Sequence, residues 1–553
     1  MKAPQKASGS LTPKPRYRIH SAAALVLLLV VALLFLQAPA DGAFYWSDAP
    51  RHALNGVFIK DFLVAAPIQD PMGYAYAYYA RYPALTVLFY PPLFYFLSAP
   101  LYLLLGVSHQ TALLAVFLHY AAFGIGCYRL GLFWLRPAMA LLLALILVTA
   151  PEIAFWGRQV MLEIPAFAFL VWSAVALMTY RRTERPPMLY LAVFLLVLAI
   201  YTKISTAFLA PVFALVLLHD RRGAALKDRH VYIVTLLAIV GLIPLLAITV
   251  KFGQANVQSV TGIADAAVSR SSLAGWVWYA RQIPSQIGWT ATVAAFVGAV
   301  TLVLPRYRRT AGASQADLLF WWLWFTIGYL FFSSIDLKEA RHSVFILVPV
   351  VFAAVLALNR LRPTIGLLTA GVLLAATATH TLLLRPVYYV QGYAQAVDFV
   401  ARKAPRNSVV LFSGYRDGAF VFNMRTREDR RDLSVLRADK MLLRVAVRRE
   451  LGVEQKSMTE QEIAARINQY GVRYVVMQPG FWDDLEAMRR LEAVLKSPQF
   501  VEVQRIPTPA NYPAHEKELV IYENLAPVAA GPIDLQIELP IINRTIKSQI
   551  ENR

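Results

Sequence analysis

Four short stretches, set between long apolar runs, carry side chains of types that can do chemistry. "YWSDAPRHALNG" (45–56) places Asp48 just ahead of Arg51 and His52. "EIAFWGRQVMLEIPA" (152–166) holds Arg158 and Glu163, and "AIYTKISTAF" (199–208) holds Lys203. "SSIDLKEARHSVFILVP" (333–349) holds Lys338, Arg341 and His342. A carboxylate can take the proton of a hydroxyl, while cations hold a phosphate and neutralise charge that develops on it. Each residue also has a plain structural reading. Ser47-Asp48-Ala49-Pro50 is a good helix start, so Asp48 alone fits a solvated capping carboxylate. Glu163 alone fits a paired surface acid, and Lys203 and Arg341 fit long side chains reaching to a membrane interface. The set says more than its members if the four stretches share one membrane face, so the elements that carry them have to be placed.

Of the 553 residues, 58% are hydrophobic and only 16% charged, with a mean hydropathy of +0.49. Soluble domains hold roughly 25% charged residues, so this is the composition of an integral membrane protein. The formal net charge of +20 then reads as basic loops facing anionic lipid, with no nucleic-acid partner implied. The single cysteine, Cys127, lies in an apolar run and excludes a disulfide framework or a cysteine metal site. The N-terminal "SAAALVLLLVVALLFLQAPADGA" imitates a secretory signal, but its length and the many runs after it predict a retained signal anchor.

Apolar runs near 20–38, 110–134, 137–151, 164–180, 188–202, 204–219, 231–250, 286–304, 316–333, 343–358 and 364–384 predict about eleven spans. A further run at 91–106 is aromatic and proline-punctuated, and fits an interfacial helix. With the N-terminus cytoplasmic, the inner connections become 135–137, 181–187, 219–230, 306–312 and 359–363, and each carries Arg or Lys. Counting 91–106 as a span would reverse all five. This topology puts 39–109, 152–163, 251–285 and 334–342 outside, with everything after about residue 385. The four charged stretches then fall on the face where cations should be scarce.

The chain divides into a cytoplasmic N-terminus (1–19), a membrane domain (20–385) with a long outer loop (39–109), and an extracytoplasmic α/β domain (386–553). In the last, "SVVLFSG" (408–414), "RYVVMQPG" (473–480) and "ELVIYEN" (518–524) predict buried strands, and "EQEIAARINQYGV" and "DDLEAMRRLEAVLKS" predict helices. "LAPVAAGP" (525–532) opens an extended end, and Asn543-Arg-Thr fits a glycosylation sequon. The aromatic stretch 74–96, with Tyr82 and Tyr90, offers either an interfacial belt or ring faces for a sugar.

These residues resemble the GT-C glycosyltransferases, in the polyprenyl-phosphate-sugar-dependent family that includes the protein O-mannosyltransferases and the bacterial aminoarabinose lipid A transferase (glycosyltransferase family 39). The resemblance covers about residues 20–385 and rests on Ser47-Asp48-Ala49, "YPPLFYF" (90–96), "GRQVMLEIPAF" (157–167), "YTKIS" (201–205) and "EARHSVFILVP" (339–349). Ala49 stands where the family carries glutamate, and Arg341-His342 where arginine-tyrosine is usual. The resemblance implies a GT-C fold and an inverting transfer from a polyprenyl-phosphate sugar to a hydroxyl of a protein, lipid or glycan at the outer face of the plasma membrane. It implies Asp48 as general base, with Lys203, Arg341 and more weakly Arg158 on the donor phosphate. Glu163 would orient the acceptor, position Arg158 or, with Asp48, hold an optional divalent metal. Arg51 and His52 either steer the phosphate or set the helix of Asp48, and Tyr82, Tyr90 and His342 would line the substrate. Two competing readings are an O-antigen ligase or polymerase and a lipid-linked sugar flippase. The first would use a large late loop, and the second mid-membrane polar sites in two related halves.

Overall fold

The computed structural model describes residues 14–220, 223–253, 257, 268–303, 315–445, 449–526, 533–539 and 544–550. The basic cluster at 306–312, Arg221 and Arg222 of the cluster at 219–230, most of 525–532 and the sequon Asn543 lie outside the described residues. The first helices are α1 (Lys14–Phe35), α2 (Asp48–Ala65), α3 (Pro71–Arg81), α4 (Leu93–Leu105), α5 (His109–Gly131), α6 (Pro137–Val148) and α7 (Pro151–Gly157). There follow α8 (Glu163–Thr183), α9 (Pro186–Thr202), α10 (Leu209–Asp220) and α11 (Arg229–Phe252). Helices Trp289–Val303, Gln315–Ser333, Leu347–Leu358 and Pro363–Thr379 complete the apolar set.

Every apolar run expected to span is therefore helical. Among the described residues five helices are long and apolar enough to cross a bilayer alone, and α6 with α7, bent by 63°, makes a sixth if the pair is one span. The remaining apolar helices, of 10–17 residues, include α4 in the 91–106 run and Ile204–Asp220. Leu236, Leu237, Val240 and Ile243 on α11 stay exposed, which fits a lipid-facing surface.

Two local features set the site. Arg181 and Arg182 close α8, and prolines at its first helical positions open α9, so the chain reverses over few residues and α9 returns along α8. At 1.5 Å per residue, their lengths of about 31 and about 26 Å bring the end of α9 back beside the start of α8. The long loop 39–109 folds into α2, α3 and α4, and α2 runs for 18 residues from the helix start expected at Asp48. It crosses α4 at Gly56, where a Cβ would come within 2.4 Å of Ser98 Oγ. Asn55 then ties down the next loop, donating to Thr86 Oγ1 at 3.1 Å and accepting from Thr86 N at 2.9 Å.

The C-terminal part forms a five-stranded sheet of order β2-β1-β5-β7-β6. Its strands are β1 (Val409–Ser413), β2 (Ser434–Arg437), β5 (Val472–Met477), β6 (Phe500–Pro507) and β7 (Glu518–Asn524), with β1 parallel to β2 and β5 and the rest antiparallel. Two separate hairpins, β3 (Leu443–Val445) with β4 (Val453–Gln455) and β8 (Ile533–Leu539) with β9 (Arg544–Ile550), stand beside it. The period-2 alternation of a strand decides what each face meets. Val409, Leu411 and Val475 join a core with helices Glu460–Gln469 and Glu486–Leu495. Val410, Phe412 and Val476 join the core that continues through α2 into the helical bundle. The domain thus shares a hydrophobic core with the membrane part.

A buried ion pair locks that junction. Arg425, fully buried on helix Asp417–Thr426, grips Asp61 of α2 through Nη2 at 2.6 and 2.8 Å and Nε at 2.9 Å, while Tyr78 of α3 donates to the same carboxylate at 3.0 Å. Burial works to raise the Asp61 carboxyl, but Arg425, Arg431 and Lys60 bring it below its ordinary value. Breaking such a pair from one side costs about 3–5 kcal/mol, so Arg425→Met is expected to lower the thermal unfolding midpoint of the detergent-purified protein sharply. In the intact protein this contribution is present above the unfolded carboxyl value of about 3.9 and is lost as pH falls through the lower folded value.

Candidate active site

Glu163 is the first residue of α8 and fully buried, where the free N–H end of a helix favours a carboxylate. Lys203 ends α9 in extended backbone and places Nζ 2.6 Å from Glu163 Oε1. Arg341 lies on the short helical turn Ala340–Ile346. Its Nη1 is 3.5 Å from the same Glu163 oxygen and 3.5 Å from Asp48 Oδ2, and its Nε donates to Glu339 Oε2 at 2.5 Å. The guanidinium rests on the rings of Trp46 and Trp156, 5.1 and 5.5 Å from their centroids. Asp48 opens α2 and accepts from Trp46 Nε1 at 3.3 Å and from the Tyr90 phenol.

Trp46, Asp48, Tyr90, Glu163, Lys203 and Arg341 line one cavity of about 890 Å³, together with Arg51, His52, His342 and Glu450. Burial by itself would raise the Asp48 carboxyl, but Arg341, then His52 and Arg51, with the Tyr90 hydrogen bond, bring it below its ordinary value. Burial, and next the charge of Asp48, pushes the Tyr90 phenol well up, so Tyr90 stays a donor. Burial pushes the His52 imidazole down to about 4, against the opposing pull of Asp48 and Glu163. His52 is therefore neutral at neutral pH and pulls on Asp48 only in acid, where it is charged; at neutral pH the cations acting on Asp48 are Arg341 and Arg51. Its Nδ1 lies 2.9 Å from the Tyr95 hydroxyl, a contact that sets the helix and carries no charge to a phosphate.

Two residues expected in the site lie elsewhere. Arg158 is fully buried away from the cavity, and its guanidinium donates to Ala154 O at 2.8 Å, Gln37 Oε1 at 3.0 Å and Arg385 O at 3.2 Å. It sits at the end of α7, whose 63° bend from α6 turns it toward the protein interior. Tyr82 caps α3, is buried, and packs on Tyr78 with ring centroids 5.1 Å apart, off the cavity wall. A divalent cation bridging Asp48 and Glu163 does not fit the donor set, because Arg341 Nη1 lies 3.5 Å from each carboxylate. Among the described residues no group of three metal-ligating side chains forms. Residues that sequence reasoning left without a role are Trp46, Trp156, Glu339 and Glu450. The first three stand within two residues of Asp48, Arg158 and Arg341, a proximity that was the available signal; Glu450 comes from a distant segment and had none.

The sequence profile described as dolichyl-phosphate-mannose-protein mannosyltransferase matches residues 90–248. No curated protein matches the chain by sequence. Among solved structures, ArnT from Cupriavidus metallidurans bound to undecaprenyl phosphate superposes with a TM-score of 0.61 at 13% identity, over 94% of this chain and 99% of that one. The arabinofuranosyltransferase AftD from Mycobacteria matches with a TM-score of 0.53 at 15% identity, over 94% of this chain and 41% of that one. The oligosaccharyltransferase AglB from Archaeoglobus fulgidus, in complex with an inhibitory peptide and a dolichol-phosphate, matches with a TM-score of 0.53 at 10% identity, over 84% of this chain and 70% of that one. In fold the chain is similar to ArnT along nearly its whole length, and the mannosyltransferase family profile matches it over residues 90–248.

Proposed function

We propose that the protein moves a sugar from a polyprenyl-phosphate donor to an acceptor hydroxyl, with inversion, at the outer face of the plasma membrane. The observation that carries this reading is the meeting of Asp48, Glu163, Lys203 and Arg341, from four separate segments, in one cavity at the ends of apolar helices. The lipid phosphate would lie against Lys203 and Arg341. The acceptor hydroxyl, hydrogen-bonded to Asp48, attacks the anomeric carbon from the face opposite the phosphate. The new C–O bond forms as the bond to phosphate breaks, the proton passes to Asp48, and the bonding electrons leave on the phosphate oxygen beside the two cations. Glu163 holds those cations in place and Tyr90 orients the base. A charge cluster at one end of the bundle supports this over a flippase, which needs its polar groups at mid-depth. The lipid phosphates bound in the ArnT and AglB structures support the donor class; the acceptor is a hydroxyl of a protein, lipid or glycan.

In membranes supplied with labelled undecaprenyl-phosphate pentoses and hexoses, Asp48→Asn is expected to reduce sugar release from the lipid by on the order of 10²-fold or more. Undecaprenyl phosphate should still bind to this variant, and retained turnover would remove the base. Because the Asp48 carboxyl is held low, its basic form persists above that value and is lost as pH falls through it. The kcat/KM profile should therefore stay flat from neutral pH down to about pH 4, and a limb near pH 6 would contradict the assignment. A reporter fused after residue 385 should read as extracytoplasmic, and a cytoplasmic signal would sink the outer-face placement.

A further inference from the structure

The base has a cationic neighbour whose hydrogen bonds go elsewhere. Arg51 lies three residues after Asp48 on α2, the spacing at which helical side chains of opposite charge pair by default. No such pair forms between them among the described residues. Arg51 Nη2 reaches instead to Asp417, on the first turn of helix Asp417–Thr426, with bonds of 3.0 and 2.8 Å to both carboxylate oxygens. Arg51 Nη1 points to Ser47 O at 3.4 Å. Asp417 is also held by Arg437, at the same Oδ2 that Arg51 reaches, and Arg437 grips Asp439 at 2.6 and 3.0 Å as well. Gly418 makes the approach sterically feasible, since a Cβ there would stand 2.7 Å from Arg51 Nη1 and 3.1 Å from Pro50 Cγ.

We propose that Asp417 of the C-terminal domain is a positioning residue for the transfer: it holds Arg51 away from Asp48 and leaves that carboxylate free to accept a proton. This rests on the reading of Asp48 as base. Without Asp417, Arg51 turns along its own helix to Asp48, occupies its lone pairs and lowers its proton affinity. The C-terminal domain then acts on the chemistry without touching the reacting atoms.

The test uses the full-length protein in membranes, with labelled undecaprenyl-phosphate sugars as donor and undecaprenyl monophosphate as binding probe. Asp417→Asn is expected to lower kcat roughly tenfold while leaving lipid-phosphate binding unchanged. Asp417→Glu, which keeps the charge, should remain within about threefold of the parent. The double variant Asp417→Asn/Arg51→Met should turn over several-fold faster than Asp417→Asn, because the competing cation is gone. A merely structural role for Asp417 predicts that the double variant is no better, and that result would overturn the proposal. Gly418→Ala offers an independent route that keeps Asp417 and favours the helix; it displaces Arg51 and should slow turnover with lipid-phosphate binding intact. Parental turnover in both Asp417→Asn and Gly418→Ala also overturns the proposal. Retained turnover in Asp48→Asn would instead remove the base itself, so the two failures are told apart.

Discussion

The arrangement depends on one buried carboxylate held between two cations. Glu163 has no access to water, and an isolated ionised acid there would cost several kcal/mol. Lys203 and Arg341 meet that cost, and in doing so they tie the start of α8 to the end of α9 and to the turn at 340–346. The cations are thereby fixed before any substrate arrives. Trp46 and Trp156 pack against the guanidinium of Arg341, whose donors, all in its plane, are turned to Asp48, Glu163 and Glu339. Pre-ordering of this kind is what electrostatic stabilisation of a leaving phosphate requires.

The other half of the site comes from a different source. Asp48 belongs to α2, which is packed on α4 within the helical bundle and on helix Asp417–Thr426 of the C-terminal domain. The sheet face bearing Val410 and Phe412 continues the same core, and Arg425 with Asp61 closes it. The domain is therefore built into the wall of the cavity, and Glu450, between β3 and β4, forms part of that wall.

Much of this was legible from the sequence. Long apolar runs announce helices because lipid forces backbone groups to be satisfied within one segment, and all the runs proved helical. Asp48, Glu163, Lys203 and Arg341 stood out because charge between apolar segments is expensive, and that expense is what makes them informative. Arg158 stood out for the same reason and misled: the bend between α6 and α7, which turns it inward, leaves no mark in hydropathy. Tyr82 and Tyr90 could not be separated, since a tyrosine-rich stretch does not say which ring faces inward once part of it coils into α3. The strands β2 and β6 escaped notice because one has four residues and the other is mostly exposed, so neither shows the apolar signature of β1. The pairing of Arg51 with Asp417 spans 366 positions, and no local pattern encodes a contact across such a distance.

One wall of the cavity comes from a helix that packs little against the rest of the protein. Thr249, Gly253 and Val257, at and just beyond the end of α11, line it, yet most of α11 is exposed. Its 24 residues extend about 36 Å, several ångströms more than a hydrocarbon core of about 30 Å, and such a helix tilts to fit. Its last turn therefore carries Thr249 and Gly253 to the same cavity wall as Asp48 and Tyr90, so the helix that packs least against the bundle still borders the cavity.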